Sequence, residues 1–110
     1  MDGEATTLYV QTTSWSNADV SGDSVSFKHN NRMYLSKSEV NDPNELFRPN
    51  MLGGYLEYDI DLSQVGCGCI TALYGVSMPA PDNVTDPFKY CDANQVGGHW
   101  CPEFDVMEAN

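Results

Sequence analysis

Apolar and polar residues alternate with a period of two along much of this chain, and apolar positions nowhere recur at helical spacing over a convincing length. Such alternation turns one face of a segment toward a core and the other toward water, as in antiparallel strands. Residues 6–13 are rich in β-branched and aromatic side chains, residues 24–27 alternate, and residues 33–35 continue that style after a turn at His29-Asn30-Asn31. Asn41-Asp42-Pro43-Asn44 predicts a turn, and Pro49-Asn50 a second break. Residues 54–62 alternate longest, with Tyr58, Ile60 and Leu62 on one face and Glu57, Asp59 and Asp61 on the other, which predicts a half-buried strand. Residues 70–78 are the most apolar run and are expected to form a central strand, whereas residues 79–88, with prolines at Pro79, Pro81 and Pro87, predict a surface loop. The sum is an all-β chain, an antiparallel β-sandwich of the jelly-roll kind, with no internal repeat.

The segment after Cys101 changes the picture from fold to chemistry. Glu103, Asp105 and Glu108 stand in the spacing E-x-D-x-x-E. On a regular strand Glu103 and Asp105 share a face, and Glu108, an odd number of residues from both, points the other way. One β-bulge near Val106 and Met107 would reverse the facing of the residues beyond it and bring all three carboxylates to one surface. Two carboxyl groups roughly 5 Å apart, one a nucleophile and one a proton donor of raised pKa, are the apparatus of retaining glycosidases. Glu103 and Glu108 suit those roles, and Asp105 could share a proton with Glu103 and orient it. The competing reading is an acidic strand edge with its carboxylates in water.

Charge narrows the partners. The formal net charge of -11 repels nucleic acid and anionic lipid, so neither is expected as a partner. No run of apolar residues in the 110-residue chain approaches the length that spans a membrane. Met1-Asp2-Gly3-Glu4 has neither the basic start nor the apolar run of a signal peptide, so an export signal, if used, is expected to have been removed. Asn83-Val84-Thr85 is an N-glycosylation acceptor in a proline-flanked loop, which fits a secreted, extracellular protein.

From Gly22 onward the chain resembles glycoside hydrolase family seven, the cellobiohydrolases and endoglucanases acting on β-1,4-glucans. Cys101-Pro102-Glu103-Phe104-Asp105-Val106-Met107-Glu108-Ala109-Asn110 is similar to the family's catalytic signature at every carboxylate. Tyr58-Asp59-Ile60-Asp61-Leu62-Ser63-Gln64-Val65-Gly66-Cys67-Gly68, Ala72-Leu73-Tyr74-Gly75-Val76-Ser77-Met78 and Tyr90-Cys91-Asp92 resemble further family blocks in the same order. The resemblance implies Glu103 as nucleophile, Asp105 as its helper and Glu108 as general acid and base, with hydrolysis of β-glucan and no cofactor or metal. It implies Tyr74, Asp92 and Asn94 as substrate contacts, Asn94 standing where the family has glutamine. Tyr74 read alone is equally a core aromatic, and Asp92 a turn residue bonding its own backbone. Met107 stands where the family has a tryptophan, which puts sugar stacking at that point in question. Family sixteen shares the carboxylate spacing but fits the Tyr90-Cys91-Asp92 block less well.

Four cysteines in a secreted chain suggest disulfides and allow three pairings. The resemblance favours Cys91 with Cys101, a bond that would clamp the intervening loop to the catalytic strand. Cys67 and Cys69 are too close in sequence for an unstrained bridge, and the family's partner for Cys67 lies in a downstream part absent here. A zinc site built from Cys67, Cys69, Cys91, Cys101 and His99 is the competing reading, though its spacing is unlike a zinc finger. His29 and His99 are the sole histidines and lie far apart in sequence. The family's catalytic domain is several times longer than residues 1–110, so the chain is expected to be a single glucanase-like sandwich in miniature or the N-terminal part of one. An uncovered sandwich half predicts a homo-oligomer or a companion chain. The other function class is a non-catalytic glucan-binding or structural module, with Trp15, Trp100 and the tyrosines as stacking surfaces.

Overall fold

The computed structural model describes residues 3–12, 18–40, 42–79 and 90–110. Among them lie six strands, all paired antiparallel, and no α-helix. None of the described helical segments is long and apolar enough to cross a membrane. The strands are β1 (Tyr9–Thr12), β2 (Ala18–Ser21), β3 (Ser24–Phe27), β4 (Met33–Ser36), β5 (Thr71–Val76) and β6 (Glu103–Ala109). They form three two-stranded sheets, β1 with β4, β2 with β3, and β5 with β6. The chain divides into two compact units, Met1–Leu56 and Glu57–Asn110.

In the first unit, β2 and β3 make a hairpin whose two-residue turn is Gly22-Asp23, with Ser21 paired to Ser24. Gly22 has φ 62°, the left-handed value that a turn of the II′ kind needs at its first central residue. The alternation does not predict β2, because Ala18-Asp19-Val20-Ser21 is too short and too polar to signal a strand; its pairing comes from the turn. The β1–β4 pair is held by polar atoms. Gln11, 4% exposed, donates from Nε2 to Ser36 Oγ at 2.9 Å and to the Val40 carbonyl at 2.6 Å. Ser36 Oγ in turn donates to the Glu45 carbonyl at 3.0 Å. The expected turn near Pro43 is a 3₁₀ turn, Pro43–Glu45, capped by Asp42, whose Oδ1 accepts the Asn44 N–H at 2.9 Å.

Two strand expectations are corrected. Residues 54–62 form no strand despite their alternation. At one end Asn50 Oδ1 takes the Leu52 N–H at 3.1 Å and makes a turn. At the other, Asp61 Oδ1 takes the Ser63 N–H at 2.8 Å. Hydrogen bonds from the Ser63 side chain and backbone hold the Asp61 carboxyl below its ordinary pKa. Such local bonds compete with a ladder, and among the described residues no strand pairs with the stretch between them; Tyr55 is 91% exposed. Residues 70–78 are expected to be central, yet β5 covers Thr71–Val76 and, among the described residues, pairs only with β6. The predicted loop at residues 79–88, apart from Pro79, lies outside the described residues, as do Trp15 and Asn83.

The apolar core is small. Among the described residues only Tyr90, Cys91 and Cys101 are buried hydrophobics, while Leu52, Tyr55, Ile70, Val40, Phe104 and Trp100 are exposed.

Candidate active site

The β5–β6 ladder sets the site. Val76 pairs with Glu103, Gly75 with Phe104 and Tyr74 with Asp105; then Leu73 pairs with Met107, Ala72 with Glu108 and Thr71 with Ala109. Val106 has no counterpart, and the register shifts there. It is the extra residue of a β-bulge. Because Val76, Tyr74 and Ala72 alternate along unbroken β5, they share one face, and so do their partners Glu103, Asp105 and Glu108. The bulge has its cause in the sequence: two consecutive apolar residues, Val106 and Met107, interrupt the alternation, and a straight strand would turn Met107 toward the carboxylates and Glu108 away from them.

Glu103 and Glu108 lie across from residues four apart on β5, so their Cα atoms are separated by about 13 Å along the strand. Asp105 sits between them. Glu103 is half-buried, and Asp105 and Glu108 are exposed.

Glu103 is tethered. Its Oε2 accepts the backbone N–H of Ala93 at 2.7 Å. Ala93 belongs to a loop closed by the Cys91–Cys101 disulfide, with Cα atoms 5.4 Å apart. Two turns shape that loop, with Gln95 N–H donating to the Asp92 carbonyl at 3.2 Å and Gly98 N–H to the Gln95 carbonyl at 2.9 Å. Gly97 is essential to its path: φ is +93° there, and a Cβ would lie 2.7 Å from the Tyr90 carbonyl oxygen. The Cys101 N–H also donates to the Asp92 carbonyl at 3.1 Å, which ties the loop's entry to its exit.

Behind Tyr74 runs a chain of hydrogen bonds. The Tyr74 and Tyr90 hydroxyls are 2.9 Å apart, and the Tyr90 hydroxyl donates to Asp92 Oδ2 at 2.7 Å. Asp92 Oδ1 accepts the Val96 N–H at 2.9 Å. Asp92, 5% exposed, thus reaches the carboxylate face through Tyr90 and Tyr74. Asn94 is exposed at the first turn of the loop, beside Ala93.

Met107 pairs with Leu73 on the opposite face, with Phe104 and Gly75. Position 107 therefore lies off the carboxylate side. Cys91 and Cys101 are bonded to each other, so they are not thiolates available to join Cys67, Cys69 and His99 in a zinc site. Cys67 and Cys69 are free thiols. Sequence reasoning overlooks Tyr90 and the Ala93 N–H. The Tyr-x-Asp spacing is the available signal for the first; a backbone donor leaves none.

Replacing both cysteines, Cys91→Ser with Cys101→Ser, should lower stability by about 2 to 3 kcal/mol in urea unfolding, the loop-closure value for a short ring. It should also strip the Ala93 amide of protection from hydrogen exchange. An unchanged midpoint and a still-protected amide would mean that the loop holds itself. Searched against protein-family models, curated proteins and solved structures, the chain matches none.

Proposed function

We propose that the carboxylate face of β5–β6 hydrolyses the β-1,4 bonds of glucans with retention of configuration. The observation that carries the reading is the bulge at Val106, which gives Glu103, Asp105 and Glu108 a common face. Glu108 protonates the leaving oxygen while Glu103 attacks the anomeric carbon and forms a glycosyl ester. Glu108, now a base, then takes a proton from the water that opens the ester. The Ala93 N–H holds the attacking carboxylate in place, and Asp105 stands beside it. Tyr74, with Asp92 behind it, and Asn94 contact the sugar. The chain acts outside the cell as part of an antiparallel sandwich whose exposed apolar surface is covered by a companion chain or a second copy, and Asn83 carries a glycan.

The test is hydrolysis of cello-oligosaccharides and of a chromogenic cellobioside by the chain, with the first product's anomeric configuration read by proton NMR. Release of the β-anomer first supports the reading. Release of the α-anomer first would assign an inverting mechanism. Saturable binding without any turnover would leave a glucan-binding module, which the exposed Trp100, at 62%, would serve as a stacking surface.

A further inference from the structure

We infer that Tyr90 is a positioning residue that fixes the hydrogen-bond polarity of Tyr74, so that Tyr74 meets a ligand on the carboxylate face as an acceptor and never as a donor. The inference rests on the glucan-hydrolysing reading for the identity of that ligand. Its physical basis is proton counting. A phenol carries one proton. Tyr90 directs its proton to Asp92 Oδ2 at 2.7 Å, so the proton between the two hydroxyls, 2.9 Å apart, comes from Tyr74. What remains on Tyr74 for anything in front of it is oxygen lone-pair density.

The far end of this relay cannot turn. Asp92 is buried, its Oδ1 takes the Val96 N–H, and its carbonyl takes the N–H groups of Gln95 and Cys101. The disulfide fixes Cys91, the residue just before it. Tyr90 is buried as well, and a hydrogen bond shielded from water is stiff and strengthens its neighbour. Tyr74 pairs with Asp105 in the ladder, so the two side chains start from the middle of the same face. This middle selects ligands that offer O–H donors, such as a free sugar hydroxyl. It discriminates against the same sugar when that hydroxyl is replaced by fluorine, which accepts but cannot donate.

The relay also says how to reverse the polarity. In Asp92→Asn the amide oxygen is kept at the Val96 N–H, which directs the amide NH₂ at Tyr90. Tyr90 then accepts from the amide and donates to Tyr74, and Tyr74 is left with a proton for the ligand. Tyr90→Phe removes the relay and frees that proton without reversing anything.

The experiment is calorimetric binding of methyl β-cellobioside and its monofluorinated deoxy analogues to the whole chain and to both variants. In the native chain one ring position should lose about tenfold in affinity when hydroxyl becomes fluorine, the value of one hydrogen bond. In Asp92→Asn and in Tyr90→Phe the loss at that position should fall below about threefold, since the hydroxyl proton is no longer the deciding contact. A merely structural role would weaken all analogues alike, and equal discrimination in all three proteins overturns the inference. Independently of any sugar, the Tyr74 hydroxyl proton should be seen by NMR in slow exchange with close approach to the Tyr90 ring. A Tyr74 proton in fast exchange with water also overturns it. If no glycoside binds, the hydrolase reading falls, and the position of that proton alone upholds or overturns the polarity.

Discussion

Moving the proposed acid by one residue, with Met107→Glu and Glu108→Met together, is expected to lower turnover steeply. The change leaves composition and charge untouched and creates E-x-D-x-E, which on a straight strand would put all three carboxylates on one face. On this strand it does not. Position 107 pairs with Leu73 and faces away from Glu103 and Asp105, whereas position 108 pairs with Ala72 and faces with them. The loss should be on the order of 10²- to 10⁴-fold, the range for removing a general acid. Deleting Val106 should do the opposite, leaving turnover measurable. Val106 is the residue without a partner, so its removal lets Asp105, Met107 and Glu108 keep their neighbours Tyr74, Leu73 and Ala72 on a strand that no longer bulges. Turnover surviving in the exchanged variant and lost in the deletion would refute the facing argument.

Glu103→Gln is expected to lower turnover by on the order of 10³-fold or more, since no covalent step can start without the attacking oxygen. The fold should be spared. Glutamine keeps an oxygen that can accept the Ala93 N–H, so the loop closed by Cys91 and Cys101 retains its contact. Glu108→Gln should separate from it by leaving group. A nitrophenylate departs with little help from an acid, so Glu108→Gln should lose far less kcat/KM, which reports the ester-forming step, on a nitrophenyl glycoside than on cellotetraose, whereas Glu103→Gln should fail on both. Equal losses on both substrates in Glu108→Gln would take the acid role away from that residue.

How much of this can be read from the sequence depends on how local the cause is. β3 matches residues 24–27, and β4 is the predicted stretch 33–35 extended by Ser36, because alternation beside a turn is a local signal. The bulge is legible from parity: an E-x-D-x-x-E run with two adjacent apolar residues inside it has no other way to segregate its faces. Residues 54–62 show the limit. Alternation states which side chains would share a face and says nothing about a partner, while the Asn50 and Asp61 turns at the two ends of the stretch are short-range bonds the period ignores. The Tyr74–Tyr90–Asp92 chain crosses from β5 to the disulfide loop over 16 residues at its longest step, so no local pattern announces it. The same holds for the Ala93 N–H on Glu103, a contact made by backbone that any residue but proline could supply.

The most direct test of the account is to trap the glycosyl ester. The chain is incubated with a 2-deoxy-2-fluoro cellobioside bearing a good leaving group, and intact-mass and peptide mass spectrometry locate the label. Fluorine slows both steps, the good leaving group restores the first, and the ester accumulates. The account predicts one added fluorocellobiosyl group, carried by Glu103, formed in the native chain and in the Val106 deletion and absent from Glu103→Gln. A label on another residue, or hydrolysis of the cellobioside with no labelled protein, would contradict it.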